Sequence, residues 1–485
     1  MIPRLTVVAP AVLLALGLIG CGESRTGFQA SQGTGKGPVT SSAVVVGGLR
    51  TLKETPFERS WDLDLGHPVL MAWIAPDVEN LVFFQLDETF EIVAVDVMSG
   101  HTRWVSKPLP EALRLAPYAA RNKLPTERPD VFRLDERLYV VSQDTLFCLD
   151  CATGHLIWRF DLPFSPSTGP VAVGLDETLR VYLGDWSGRL QAVSFHPKRE
   201  FAYQAWQWNI NASATAQGLA KDEVLYFGDH GGTLSAFKSD RQQAWSNHLG
   251  GAIYGAPAVR DRTLFAGTTE NTLYALNRLT GETLGQVNLN GPLTKAPMVF
   301  RGDPERIYAW VGGPEQTAGL YAFTAQSDTV AYTDTARHPL EVVRLGQRWS
   351  VPGLNTLVSS TPAYLYATDG SPVISAVNRD SGVVDWRWDV NAERLAEQQA
   401  AGVRRPAKVA QLLAYQDPTD LNRSVFAIDE KGGVVSYRFF GFVPGDHLPV
   451  ASGDVTPVVK AKGGKAKEGE APAEIPAKPG KESKP

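Results

Sequence analysis

The sequence predicts an all-β chain folded as an eight-bladed β-propeller of four-stranded antiparallel blades, closed by an N-terminal strand. Three observations predict it. A short phrase recurs, a small residue returns at like places in eight alternating runs, and one strand-like segment near the N-terminus has no unit of its own. The phrase, Asp/Asn-x-x-Ser/Thr-Gly-x-x-x-Trp, occupies 95–104, 149–158 and 377–386, and a weaker copy at 276–282 lacks the tryptophan. Self-similarity at a period of tens of residues is the signature of a repeat architecture.

Each unit reads as four short strands. Alternating runs such as 90–95 are half-buried strands. The Asx residue can bond its own backbone two residues on, and the glycine four places later can take positive φ, so the phrase is a tight turn into a further strand ended by an aromatic anchor. Upstream, 224–228 meets 233–237 across Asp229-His230-Gly231-Gly232. Four strands per unit match a propeller blade. The small residue falls at Ala94, Cys148, Ala192, Ala236, Ala275, Ala322, Ala376 and Ser436, about 40 to 60 residues apart, which counts eight units. The longer gaps imply insertions at 107–124, 326–341 and 390–407; good helix formers at 391–400 predict a short helix in the last. The eighth unit has no outer strand of its own, whereas Phe57-Glu58-Arg59-Ser60-Trp61 has no blade before it. The N-terminal segment is therefore expected to complete the eighth blade and protect an open edge.

The ends set an address. Residues 1–20 read as a lipoprotein signal peptide: Arg4, then an apolar stretch too short for a membrane span. The stretch ends in Leu18-Ile19-Gly20-Cys21, which looks like a bacterial lipobox and implies lipid on Cys21. Residues 21–54 read as a flexible tether, with Ala43-Val44-Val45-Val46 able to dock as a strand instead. The propeller spans 55–445. The tail, 446–485, is rich in Lys, Ala, Pro and Glu and predicted disordered; it is either a solvated end or a contact for an anionic surface. A net charge of −5 over 485 residues gives no case for nucleic acid.

Candidate sites are few. Cys148 and Cys151 form a Cys-x-x-Cys, but Ala152 stands where a c-type haem needs His, no second pair completes a zinc site, and no βαβ pattern surrounds it. Packing and a local disulfide both remain open. The turns between second and third strands carry Asp87 and Glu88, Asp144, Asp185, Asp229, Glu270, Glu315, Asp369, and Asp429 with Glu430. They form either an acidic ring for a basic partner or ordinary turn chemistry. Trp186 and His230 share those turns, so Asp185, Trp186, Asp229 and His230 are the candidate partner contacts. Trp61, Trp104, Trp158, Trp245, Trp349 and Trp386 sit at or near blade ends and read as inter-blade anchors; Trp73, Trp186, Trp206, Trp208, Trp310 and Trp388 are less regular, with some expected exposed.

The phrases Leu-Asp-x-x-Thr-Gly-x-x-x-Trp and Leu-Tyr-Ala-Leu-Asn (273–277) resemble the repeat of quinoprotein-type eight-bladed propellers over about 57–440. With a lipobox in front, the chain looks like the BamB-like group, the lipoprotein subunit of the outer-membrane β-barrel assembly machinery. The chain departs from that group in its blade insertions and basic tail. The resemblance implies a non-enzymatic scaffold that docks on a membrane protein partner, with no cofactor and no metal, as a monomer within a complex. It places the protein at the outer membrane, lipid-anchored and facing the periplasm. Two alternatives stand beside it: a surface lipoprotein that binds cell wall or polysaccharide, and a dehydrogenase using pyrroloquinoline quinone.

Overall fold

The computed structural model describes residues 47–439, apart from 75–77, 79, 126–131, 175–178, 197–198, 211, 239, 301–302, 315–317, 331–339 and 417–422. The signal segment, Cys21, the Ala43–Val46 stretch, Glu315 and the tail lie outside the described residues. Eight antiparallel sheets follow one another along the chain. Blades 1 to 7 cover 69–105, 118–161, 171–209, 219–248, 258–288, 298–352 and 356–389, each with its four strands in sequence order. Blade 8 takes three strands from 409–439, and Phe57–Asp64 supplies its outer strand by antiparallel pairing with Gly433–Phe439. The predicted closure is therefore present, and the two ends of the ring share one sheet.

The eight small residues counted in the sequence are all fully buried in the third strand of their blades. Each stands opposite an aromatic on the second strand: Phe83, Tyr139, Tyr182, Tyr226, Phe265, Tyr308, Tyr366 and Phe426. On its other side it faces Trp104, Trp158, Trp206, Trp245, Trp349, Trp386 or Trp61 in seven blades, and Gly285 in blade 5. A small side chain leaves room for two large rings to close over it, which is why the position tolerates only Ala, Cys or Ser here. A bulge beside this position in every blade adds local twist and aims the tryptophan out of its own sheet.

The tryptophan docks on the next blade. The Asx turn forms as the sequence predicts: Asp96 Oδ1 accepts from the backbone N–H of Met98 and Ser99, Asp150 and the Asn residues at 277 and 378 do likewise, and Gly100, Gly154, Gly281 and Gly382 have φ of 72°, 71°, 76° and 73°. A Cβ on Gly100 would stand 2.5 Å from the Trp61 ring; Gly154, Gly281 and Gly382 are covered in the same way by Trp104, Trp245 and Trp349. Each of these indoles donates its N–H to a carbonyl of the turn it covers: Val97 at 2.8 Å, Cys151 at 2.7 Å, Arg278 at 2.9 Å and Arg379 at 2.8 Å. The phrase at 276–282 can lack its own tryptophan because its glycine is served by Trp245 of blade 4. Trp61 reaches from blade 8 to blade 1, so the same contact closes the ring.

Where the following blade has no such turn, the indole N–H is left without a partner among the described residues, at Trp158, Trp206 and Trp386. Blade 8 cannot have one, because its third and fourth strands belong to opposite ends of the described chain. Residues 47–54, at the end of the segment read as a tether, take its place. Leu49–Arg50 pairs in parallel with the outer strand of blade 7, and the Arg50 guanidinium lies 5.0 Å over the Trp386 ring. The apolar core follows the same logic: eight buried clusters among the described residues each join two neighbouring blades, including blades 8 and 1.

The insertions resolve differently from one another. That at 326–341 lengthens the last two strands of blade 6 into Gly319–Val330 and Leu340–Pro352. This hairpin lies over the outer strand of blade 5, where Val343 O would stand 1.9 Å from a Cβ on Gly285. The hairpin thus occupies the space of the tryptophan that blade 5 lacks. The insertion at 390–407 carries the predicted helix, Val390–Ala400, capped by Asp389 accepting from Ala392 N at 2.9 Å. Its Asn391 and Gln398 side chains accept from Val409 N and Ala407 N, and Glu393 accepts from Leu52 N, which ties blades 7 and 8 and the entering chain together.

Trp61→Ala is expected to lower the free energy of unfolding by about 3–5 kcal/mol in a denaturant titration, while Trp186→Ala stays within about 0.5 kcal/mol. Equal effects would contradict closure through Trp61. Gly285→Trp is expected to displace the blade 6 hairpin, read as faster amide exchange across 340–346; unchanged exchange would show that the site has room.

Candidate functional site

Turns between second and third strands, and the connections that lead from one blade to the next, open on the same side of the ring. Blades 3 to 5 place the candidate contacts there. Asp185 and Asp229 are 2% and 3% exposed and are spent within their own turns. Asp185 accepts from the backbone N–H groups of Ser187 and Arg189 at 2.9 and 2.8 Å and from Arg189 Nε at 2.6 Å. Asp229 accepts from Thr233 N at 2.8 Å. Both carboxylates, expected as partner contacts, are thus buried and engaged in shaping their own turns. Burial pushes the Asp185 carboxyl up, but the hydrogen bonds from Arg189 and Ser187 with the Arg189 charge outweigh it and hold it below the usual value of 3.8. At Asp229 burial wins over the bonds from Thr233 and Gly231, and the carboxyl is raised.

The turns that these carboxylates fix carry exposed rings. Trp186 is 65% exposed, the only one of the twelve tryptophans left open; Trp206 proves to be an anchor, and Trp73, Trp310 and Trp388 are buried. His230 is exposed, and Tyr254 Oη lies 3.2 Å from its Nδ1, with the rings edge to face at 6.0 Å. Ser213 links the two turns, donating its hydroxyl to Trp186 O at 2.5 Å and accepting from His230 N at 2.8 Å. Trp186, His230 and Tyr254 therefore form a short arc held on hydrogen-bonded backbone. Tyr254 lies in the connection from blade 4 to blade 5, within Ala252-Ile253-Tyr254-Gly255, where no repeat signal marks it. Beside Trp186 a cleft of about 780 Å³ runs between blades 2 and 3, lined by Glu111, Gln143, Asp144, Asp161 and Ser165 among others.

The acidic ring is present only in part. Glu88, Asp144, Glu270, Asp369 and Glu430 are exposed, Asp87 is half-buried, and Asp429 is buried, accepting from Lys431 N and Gly433 N. Cys148 and Cys151 are buried thiols. Cys148 fills the small-residue position between Tyr139 and Trp158, and Cys151 supplies the carbonyl that receives the Trp104 indole. Among the described residues no three His, Cys, Asp or Glu side chains are grouped to hold a metal ion, and no helix is long and apolar enough to cross a membrane.

The family model described as outer membrane protein assembly factor BamB matches residues 203–439. Among solved structures, the chain is similar to BamB from Moraxella catarrhalis, at 15% identity and a TM-score of 0.53, covering 80% of this chain and 99% of that one. It is also similar to Sqt1 of Saccharomyces cerevisiae, at 9% identity and a TM-score of 0.50, covering 79% and 100%. No curated protein matches the chain in sequence. At such identities the solved structures establish the fold. The chain is a β-propeller repeat protein that resembles BamB.

Asp185 also sets a pH dependence. Its lowered folded-state pKa stabilises the fold above about pH 3.8, and that contribution is lost as pH falls through the folded value. Asp185→Asn is expected to be less stable than the parent at neutral pH, with the gap narrowing below about pH 3.8 in urea titrations. A gap that stays constant across that range would contradict the charge-based role.

Proposed function

We propose that this protein is a non-enzymatic protein-interaction scaffold of the cell envelope that serves outer-membrane protein assembly. Lipid on Cys21 tethers it to the outer membrane, and the ring faces the periplasm as one subunit of a complex. The match to the BamB family model supports the assembly role. The observation that carries the scaffold reading is the arc of Trp186, His230 and Tyr254. It consists of exposed aromatic side chains on backbone already fixed by Asp185, Asp229 and Ser213. Large rings carry much of the energy at protein interfaces, and a rigid platform loses little freedom on binding. The ring adds nothing covalent; it holds a partner in one orientation within reach of the membrane.

A second reading, binding of a glycan strand, draws on the cleft beside Trp186, whose indole offers a stacking face next to Asp144, Asp161 and Gln143. The two readings separate in one experiment. The tagged protein is recovered from detergent-solubilised envelope, with and without soluble wall oligosaccharide. The scaffold reading expects near-stoichiometric barrel-assembly proteins, insensitive to sugar. It also expects their recovery to fall at least about ten-fold with Trp186→Ala and His230→Ala together, at an unchanged melting curve. Intact recovery in the double variant would move the interface to another face. Release by oligosaccharide would favour the glycan.

A further inference from the structure

The same face of the ring carries a second, chemically opposite patch. The connection from the blade 7 helix to blade 8 runs Val403-Arg404-Arg405-Pro406-Ala407-Lys408, and the blade 8 turn presents Lys431. Val403 is 44% exposed, and Arg404, Arg405, Lys408 and Lys431 are all exposed. The two segments are locked together: Lys431 Nζ donates to Arg405 O at 2.6 Å, and Glu430 N to Lys408 O at 3.0 Å. None of the four cations forms an ion pair among the described residues. Glu430 is the one exposed carboxylate in 401–410 and 429–433, because Asp429 is buried and faces Arg394 at 3.8 Å. Four positive charges with an exposed valine on a fixed loop form a surface suited to an anionic bilayer, where each Lys or Arg strengthens binding by roughly five-fold.

Two further observations point to a bilayer rather than an acidic protein. The first described residues share this sector: Gly47 to Arg50 run along the outer strand of blade 7 toward the loop, and Leu52 bonds the helix that precedes it. Leu49, 70% exposed, adds an apolar side chain there. Four blades away around an eight-membered ring, Trp186 and His230 stand on blades 3 and 4. We propose that the basic loop of blades 7 and 8 rests on the anionic membrane surface and so turns the aromatic arc, on the opposite side of the ring, away from the bilayer toward the partner. The inference rests on the anchored reading only in taking the bilayer as the surface within reach.

The test is amide hydrogen exchange on the full chain mixed with vesicles of phosphatidylcholine alone or with phosphatidylglycerol. Exchange at 401–408 and 429–433 is expected to slow on the anionic vesicles only. The protection is expected to vanish at high salt and in the combined variant Arg404→Glu, Arg405→Glu and Lys408→Glu, while 186–188 and 230–232 exchange at their free rates. The melting curve of that variant checks its fold, which three exposed side chains without ion pairs should leave intact. Equal exchange on both kinds of vesicle would overturn the proposal and leave an acidic protein as the ligand. Protection at 186–188 or 230–232 in place of the loop would overturn the orientation. The mass of the N-terminal peptide reports separately whether Cys21 carries lipid, so failure of the anchor and failure of the loop are told apart.

Discussion

The ring depends on one contact made repeatedly: an indole from one blade laid on the glycine of the next blade's turn, with its N–H given to a turn carbonyl. Three chemical demands meet there. The glycine must take positive φ and carry no Cβ, the Asx residue must fold the turn, and a small residue in the donor blade must free the tryptophan to leave its own sheet. Each is a short-range property of sequence, but the contact itself joins two units. Because the donor and the acceptor lie in different blades, the contact ties four of the eight blade junctions, and the Trp61 contact on Gly100 turns a row of blades into a closed ring. Closure also buries the apolar faces that the first and last blades of an open row would expose.

Much of this was legible in the sequence because it is local. The eight small residues, the Asx turns and an outer strand at 57–61 could be read from the sequence alone. What spacing could not show is which neighbour each residue serves. Trp206 looked irregular because its turn partner is absent, yet it faces Ala192 as the other anchors face theirs. The phrase at 276–282 lacked its tryptophan, and only the hairpin folded over Gly285 explains the missing ring. Asp185 and Asp229 looked like surface charges because turn carboxylates usually are; their burial follows from backbone donors that the sequence does not display. Tyr254 lay in a connection with no repeat signal. Leu49–Arg50 docks in parallel on a strand more than three hundred residues away, a pairing for which no local pattern exists.

The same architecture accounts for where function can reside. Residues committed to blade contacts are buried, so the repeats themselves leave little to vary. Variation is confined to turns and connections on the two faces, and there this chain is asymmetric. One side of a single face carries aromatic rings held on rigid turns; the other carries cations on a loop fixed by its own hydrogen bonds. A disc with two unlike edges can join two unlike surfaces without moving parts, which is what the proposed scaffold requires.

The docking role proposed for the arc at blades 3 to 5 is open to a direct probe. A photo-activated cross-linking residue placed at position 186, in the intact envelope, tests it most directly, with the same residue at Leu279, exposed in the outer turn of blade 5, as the control. The account predicts one dominant adduct with a barrel-assembly protein from position 186 and none from 279. Adducts from 279 alone, or the same adducts from both positions, would contradict it.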